Sequence, residues 1–265
     1  MLRTTPQLPA SLRDVERVTR RQDNLVILDA DDTLWYVEPL YDDARAKARR
    51  IVELAGLDGA KWERLERRLD VTNVTRFGLS PKRFPTSCVQ AYKLLAPVPA
   101  PLIEARIRSA ASAVFAQLAP LVPDARPAVE LLRSVARLAL LTKGDETVQR
   151  KRLAQSGLAA CFDAVWVVEE KDENAFQAVL AHFSCRPNCA WSIGNSLKSD
   201  IGPVLALGMK AIWIDAHVWE YERSSCDVYS SLETLRADNL LVAATTISET
   251  ILSAIQKVTT DQRDA

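Results

Sequence analysis

Short apolar runs recur along the chain, separated by stretches in which apolar residues return every three or four positions. Leu25–Asp29, Leu138–Thr142, Ala164–Val168, Ala190–Gly194 and Ala211–Asp215 read as strands, and their near-continuous apolar character suits a sheet covered on both faces. Between them, "GDETVQRKRLAQSGL", "ENAFQAVLAHF" and "SDIGPVLALGM" carry helical periodicity, two of them stopping at or near Gly. Strand and helix in alternation imply an α/β fold with a Rossmann-like, doubly wound parallel sheet.

The rhythm breaks once. Between Trp35 and about Leu121 no strand run appears; "YDDARAKARRIVELAGL", "AKWERLERRLD", "FPTSCVQAYKLLA" and "APLIEARIRSAASAVFAQL" read instead as four helices. Such an insert is too long for a simple crossover, so the chain divides into a core of residues 1–34 and 122–265 and an all-helical domain at 35–121. The chain closes with "LLVAATTISETILSAIQKV", read as a strand-like run and a final helix, then a polar tail expected to fray.

Composition narrows the class of partner. Lys plus Arg (34) equals Asp plus Glu (34), so no overall field favours nucleic acid or an anionic membrane. The N-terminal stretch has no apolar run of signal-peptide length, and nothing later approaches the ~20 apolar residues of a membrane span. The expectation is a cytoplasmic protein, monomer or homodimer, in which the sequon at Asn73 is a chance match. Five scattered cysteines do not form a disulfide framework. His182, Cys185 and Cys189 lack the fourth ligand and the paired CxxC of a zinc site, and read as ordinary residues near a helix end.

The chemistry lies where the strands end. "LVILDADDTLW" runs an apolar strand into Asp29, Asp31 and Asp32, and crowded carboxylates need something to offset their charge. In a parallel sheet, ligands bind beyond the carboxyl ends of the strands. The second strand delivers Thr142, Lys143, Gly144 and Asp145 there; Lys171 follows the third; "GNSLKSD" supplies Asn195, Ser196, Ser199 and Asp200. Side chains at i and i+2 point the same way, so Asp29 and Asp31 face one site while Asp32 points elsewhere, as a turn or capping residue. Ser196 and Ser199 read as helix-start residues.

In order and spacing these residues resemble the four motifs of the haloacid dehalogenase (HAD) superfamily: Asp29-Ala-Asp31, Thr142, Lys171 and "GNSLKSD". The stretches "LLTKGDETVQRKRLAQSGL" and "FDAVWVVEEKDENAF" resemble a cap-bearing branch, in which the helical insert would be a C1-type cap. The resemblance implies Mg²⁺-dependent hydrolysis of a small phosphorylated metabolite. Asp29 would be the nucleophile, forming an aspartyl-phosphate, and Asp31 the acid and then the base. Thr142 and Lys171 would hold the phosphoryl oxygens, helped by backbone amides around Ala30, Asp31, Lys143 and Gly144. Mg²⁺ would be held by Asp29, the Asp31 carbonyl, Asn195 and Asp200, although many relatives have an acidic residue where Asn195 stands.

Halide leaves without protonation, and the family's dehalogenases lack an acid two residues after the nucleophile; Asp31 therefore argues for an oxygen leaving group. A phosphomutase would share all four motifs and differ mainly in excluding water, whereas a catalytically silent binding protein need not keep both carboxylates and has only Asn195 in its favour. For substrate contacts the sequence offers Lys143 and Gly144, then Arg76 and Arg83 in "TNVTRFGLSPKRFPTS", with Phe77 and Phe84 beside them. Basic residues outnumber acidic ones between Glu38 and Arg108, but "RAKARR" and "ERLERR" at helical spacing read as solvated faces. His217, in "HVWEYE", is either a substrate contact or structural.

Overall fold

The computed structural model describes residue 21, residues 23–223 and residues 235–261. Six strands form one parallel sheet: β1 (Leu25–Leu28), β2 (Arg137–Lys143), β3 (Ala164–Val168), β4 (Ala190–Gly194), β5 (Lys210–Ile214) and β6 (Leu235–Ala237). Their order is β3-β2-β1-β4-β5-β6, so the chain winds outward from β1 to β3 and then crosses back to β4. The direction reverses between β1 and β4, where Leu28 pairs with Leu140 on one side and Ile193 on the other. That switch point leaves a crevice above the carboxyl ends of both strands.

Both sheet faces are covered, which is why the strands carry no polar alternation. Val26 and Leu28 join one core with Leu138 and Leu140; Leu25 and Ile27 join the other with Ala139 and Leu141. Helices α6 (Ala125–Val135) and α11 (Leu240–Asp261) close the first through Val129, Leu132, Ala243 and Ile247. Helices α8 (Glu173–His182) and α9 (Gly202–Ala206) close the second through Phe176, Val179 and Val204.

Between β1 and α6 lie α1 (Glu38–Leu54), α2 (Gly59–Thr72), α3 (Val74–Phe77), α4 (Arg83–Leu95) and α5 (Pro101–Ser112). The four expected helices are thus joined by a single turn, α3. These helices have a hydrophobic cluster of their own, including Val52, Trp62, Phe84, Tyr92, Ile107 and Val114. Trp62 is fully buried there, its indole N–H donating to the Cys88 carbonyl at 3.0 Å. The Asp58 carboxylate caps α2 by accepting the Lys61 N–H, and Pro101 opens α5, where its missing N–H costs nothing.

The strand-like run expected in "LLVA" is helical. Leu240 opens α11, the Asn239 side chain accepts the Val242 N–H at 3.0 Å, and Leu240, Ala243, Ala244, Ile247 and Ile251 recur at helical spacing on the buried face. The sixth strand is instead the three-residue β6, with two of its residues exposed, too short to leave a pattern. The expectations for the N-terminal stretch and the end of the polar tail fall outside the described residues. Among the described residues, no helix is long and apolar enough to cross a membrane.

Candidate active site

Beyond Leu28 the β1 chain continues as Asp29, whose N–H donates to the Ile193 carbonyl at 2.9 Å. A tight turn follows, with Leu34 N–H donating back to the Ala30 carbonyl at 2.8 Å. Asp32 adopts a left-handed backbone (φ 58°), a conformation Asp tolerates, and its carboxylate accepts the Val37 and Glu38 N–H groups at the start of α1. It shapes the turn, and burial pushes its carboxyl up to about 6.

Lys171, 5 % exposed, stands one residue before Asp172, which caps α8. Its ammonium donates to Asp29 Oδ1 and, at 2.7 Å, to Asp200 Oδ1. Asp200 Oδ2 accepts the Ser196 N–H at 2.9 Å. A side chain at Gly194 would collide with that carboxylate, since its Cβ would lie 2.3 Å from Asp200 Oδ2. Burial pushes Asp29 up to about 7; Lys171 opposes this and Asp200 reinforces it. Burial would lower Lys171, but Asp200 and Asp29 more than reverse that and hold its ammonium charged. Two buried carboxylates share one ammonium, so the cluster carries surplus negative charge.

Asp31 has a different mount. Its carboxylate accepts from Trp35 Nε1 and Gln149 Nε2, each at 2.8 Å, and both its oxygens lie 3.3 Å from Arg152 Nη1. Gln149 and Arg152 come from α7 (Glu146–Ser156), started by the Asp145 carboxylate accepting the Val148 N–H. Three positions apart, they share one face of that helix and are nearly buried. Gln149 also donates to the Lys143 carbonyl at 3.0 Å and packs against Gly144, whose φ of +134° excludes ordinary side chains.

Lys143 is committed to other partners. Its ammonium donates to Glu222 and, at 2.9 Å, to Ser199 Oγ. Glu222 belongs to α10 (Glu220–Arg223) and also accepts from Ser196 Oγ at 2.7 Å and Ser199 Oγ at 2.6 Å. Burial would raise its carboxyl, but Lys143 and the two hydroxyls hold it at about 2. Asn195 donates its amide to the His217 carbonyl, a bond that an ionised Asp at this position could not make.

The insert forms the opposite wall. Arg45 binds Glu66 and Asp42 at 2.9 and 2.8 Å. Arg83 binds the Asp70 carboxylate, and its guanidinium lies 4.2 Å over the Trp219 ring. His217 Nε2 lies 3.3 Å from Glu38 Oε2. The two walls enclose about 170 Å³, lined by Asp29, Asp31, Thr142, Lys143, Gly144, Lys171, Asn195 and Asp200 and, from the insert, by Arg83. Arg76 does not line it: it is exposed and stacks on Phe77 at 5.1 Å. Phe84 is fully buried in the insert's own core. His182 packs against Trp166 and Phe183.

Sequence reasoning missed Gln149 and Arg152. The available signal was α7 itself, whose many polar residues leave too few apolar ones to cover a helix packed on a sheet.

The parallel sheet and its switch point define a Rossmann-like α/β core, with an aspartate–lysine–aspartate cluster beyond the strand ends. The chain belongs to the haloacid dehalogenase-like hydrolases, whose family profile matches residues 24–208. It is 31 % identical over 118 residues to a phosphoserine phosphatase of Thermus thermophilus, across 42 % of this chain and 47 % of that protein. It is 32 % identical over 101 residues to a human N-acylneuraminate-9-phosphatase, across 36 % and 41 %. The chain thus spans less than half the length of these curated relatives. A haloacid dehalogenase-like hydrolase from Xanthomonas campestris superposes with a TM-score of 0.71 at 27 % identity, covering 88 % of this chain and 98 % of that one. A 2-haloacid dehalogenase from Pseudomonas syringae shares the fold, with a TM-score of 0.57 at 19 % identity.

Proposed function

We propose that the protein is a Mg²⁺-dependent phosphatase that hydrolyses the phosphate monoester of a small molecule through an aspartyl-phosphate. The observation that carries this reading is the division of labour between two carboxylates lining one cavity. Asp29 contacts Lys171, whereas Asp31 is oriented by Trp35, Gln149 and Arg152. On this reading Asp29 attacks and Asp31 moves a proton.

The Asp29 carboxylate attacks phosphorus in line, and the bond to the leaving oxygen breaks as Asp31 protonates that oxygen. Water then attacks the aspartyl-phosphate, Asp31 takes the water's proton, and phosphate leaves with Asp29 regenerated. Lys171, Thr142 and nearby backbone amides stabilise the charge on the transferring oxygens.

Among the described residues no cluster of three or more His, Cys, Asp or Glu side chains could hold a metal ion. The donor chemistry nevertheless fits Mg²⁺: Asp29, Asp200, the Asn195 amide oxygen and the Asp31 carbonyl are all hard oxygens. Two buried carboxylates facing one ammonium also leave a charge for a cation to offset. When bound there, the ion supplies charge neutralisation for the approaching phosphate.

The relatives named for phosphoserine and N-acylneuraminate-9-phosphate support a small phosphorylated substrate, as does a cavity walled by the insert. Dehalogenation would leave Asp31 and its three donors without a task. The test is phosphate release from a panel of metabolite phosphates with Mg²⁺ or EDTA, for wild type beside Asp29→Asn. Metal-dependent turnover abolished by the substitution supports the reading; metal-independent turnover, or an equally active variant, overturns it.

A further inference from the structure

The insert's wall contains an arginine built to receive a ligand. Arg83, 6 % exposed, is held by the Asp70 carboxylate, by the Asp70 carbonyl at 3.1 Å and by the Trp219 ring beneath it. All of its hydrogen bonding goes through Nη1. Nε is buried without an acceptor, and Nη2 has none among the described residues. Nε has no accessible surface and stays enclosed by the protein, so the donor that Arg83 leaves open to a ligand acceptor is Nη2.

Tyr41 lines the same cavity, its ring held edge-on by Phe84 at 5.0 Å. Burial pushes its phenol up, so the hydroxyl keeps its proton as a donor, with Arg83 and Arg152 the cations that oppose this. Tyr41, Arg83 and Asp31 all line the one cavity.

We propose that Arg83 and Tyr41 bind a carboxylate on the alcohol half of the substrate, so that phosphate monoesters of hydroxy acids are preferred. This rests on the phosphatase reading, in which the alcohol half departs after protonation by Asp31. A singly charged carboxylate oxygen can accept from the open Nη2, with the Tyr41 hydroxyl as a second donor on the same cavity wall. A doubly charged second phosphoryl group would be opposed by Asp70 and Asp31.

The experiment compares matched pairs: 3-phosphoglycerate with glycerol 3-phosphate, and O-phosphoserine with phosphoethanolamine. Wild type should favour the carboxylated member of each pair about tenfold or more in kcat/KM. Tyr41→Phe should shrink that ratio several-fold and Arg83→Gln should erase it, with Arg83→Lys restoring part. Because Arg83→Gln strands Asp70, the double variant Asp70→Asn/Arg83→Gln removes both charges together. Equal use of the two members, preference for the neutral one, or variants that lower both members equally would overturn the assignment. Binding of the same four compounds to Asp29→Asn separates the two readings. A carboxylate preference in binding without phosphate release from any member of the metabolite panel sinks the phosphatase and leaves this subsite standing; phosphate release from the panel with no carboxylate preference in binding sinks the subsite alone.

Discussion

Glu66 and Glu222 are the same residue type, both nearly buried, and the molecule treats them oppositely. Glu66, on α2, meets Arg45 of α1 with one oxygen while Oε1 has no hydrogen-bond partner among the described residues; burial, with Asp70 nearby, pushes it up to about 7. Glu222, at the strand ends, is engaged by an ammonium and two hydroxyls and is held at about 2 against the same burial. At Glu222 the Lys143 charge lowers the carboxyl most and three hydrogen bonds add to it; at Glu66 the Arg45 guanidinium, opposed by Asp70, does not overcome burial.

The contrast extends to the surrounding regions. In the insert each buried carboxylate has its own guanidinium, Glu66 with Arg45 and Asp70 with Arg83, and the pairs tie α1, α2 and α4 together. At the strand ends Lys171 serves Asp29 and Asp200 together. Matched pairs hold helices in place; on the proposed reading, the unmatched carboxylate is the one that reacts.

Asp29→Asn should break that contrast most severely, lowering kcat by about a thousandfold or more with the fold retained by circular dichroism. Survival of activity would show that the surplus charge is not the reactive feature. Arg152→Gln should lower kcat by roughly ten- to a hundredfold and alter the pH–rate profile, because Asp31 loses its orienting partner. Arg152→Lys should recover part of the rate; a variant that changes KM alone would remove Arg152 from the positioning role.

Gly194→Ala places a methyl 2.3 Å from the Asp200 carboxylate and should reduce stability by about 1–3 kcal/mol, read from the urea midpoint, with activity falling as Asp200 is displaced. The smallest effects belong to the two glutamates. Glu222, depressed to about 2 from 4.5, contributes stability that is present above pH 4.5 and lost as pH falls toward 2. Glu66, raised to about 7 from 4.5, contributes stability that is present below pH 4.5 and lost as pH rises through 7. Urea midpoints across these windows should flatten on the acid side in Glu222→Gln and on the neutral side in Glu66→Gln, by on the order of 1 kcal/mol. Matching profiles would erase the contrast.

Five strands were legible because a sheet buried on both faces must be written in continuous apolar runs, as β1 and β4 are. The rim was legible for a related reason: Asp29, Thr142, Lys171 and Asp200 stand at or just past strand ends, and parallel strands deliver such residues to one edge. The "LLVA" run misled because a short apolar stretch has no period, and only the buried face of α11 made it a helix. Arg76 and Arg83 read alike in a basic loop; α4 buries Arg83 beside Asp70, while Arg76 is exposed.

By itself, then, the sequence determined the parallel sheet and the placing of carboxylates, lysine and threonine along its edge, because both follow from local pattern and strand direction. Which carboxylate keeps company with which donor was decided by the tertiary structure alone. Asp31 meets Gln149 and Arg152 across 118 and 121 positions, and Lys143 meets Glu222 across 79. No local period encodes such contacts; they exist because crossover helices and the segment after β5 fold back over one end of the sheet.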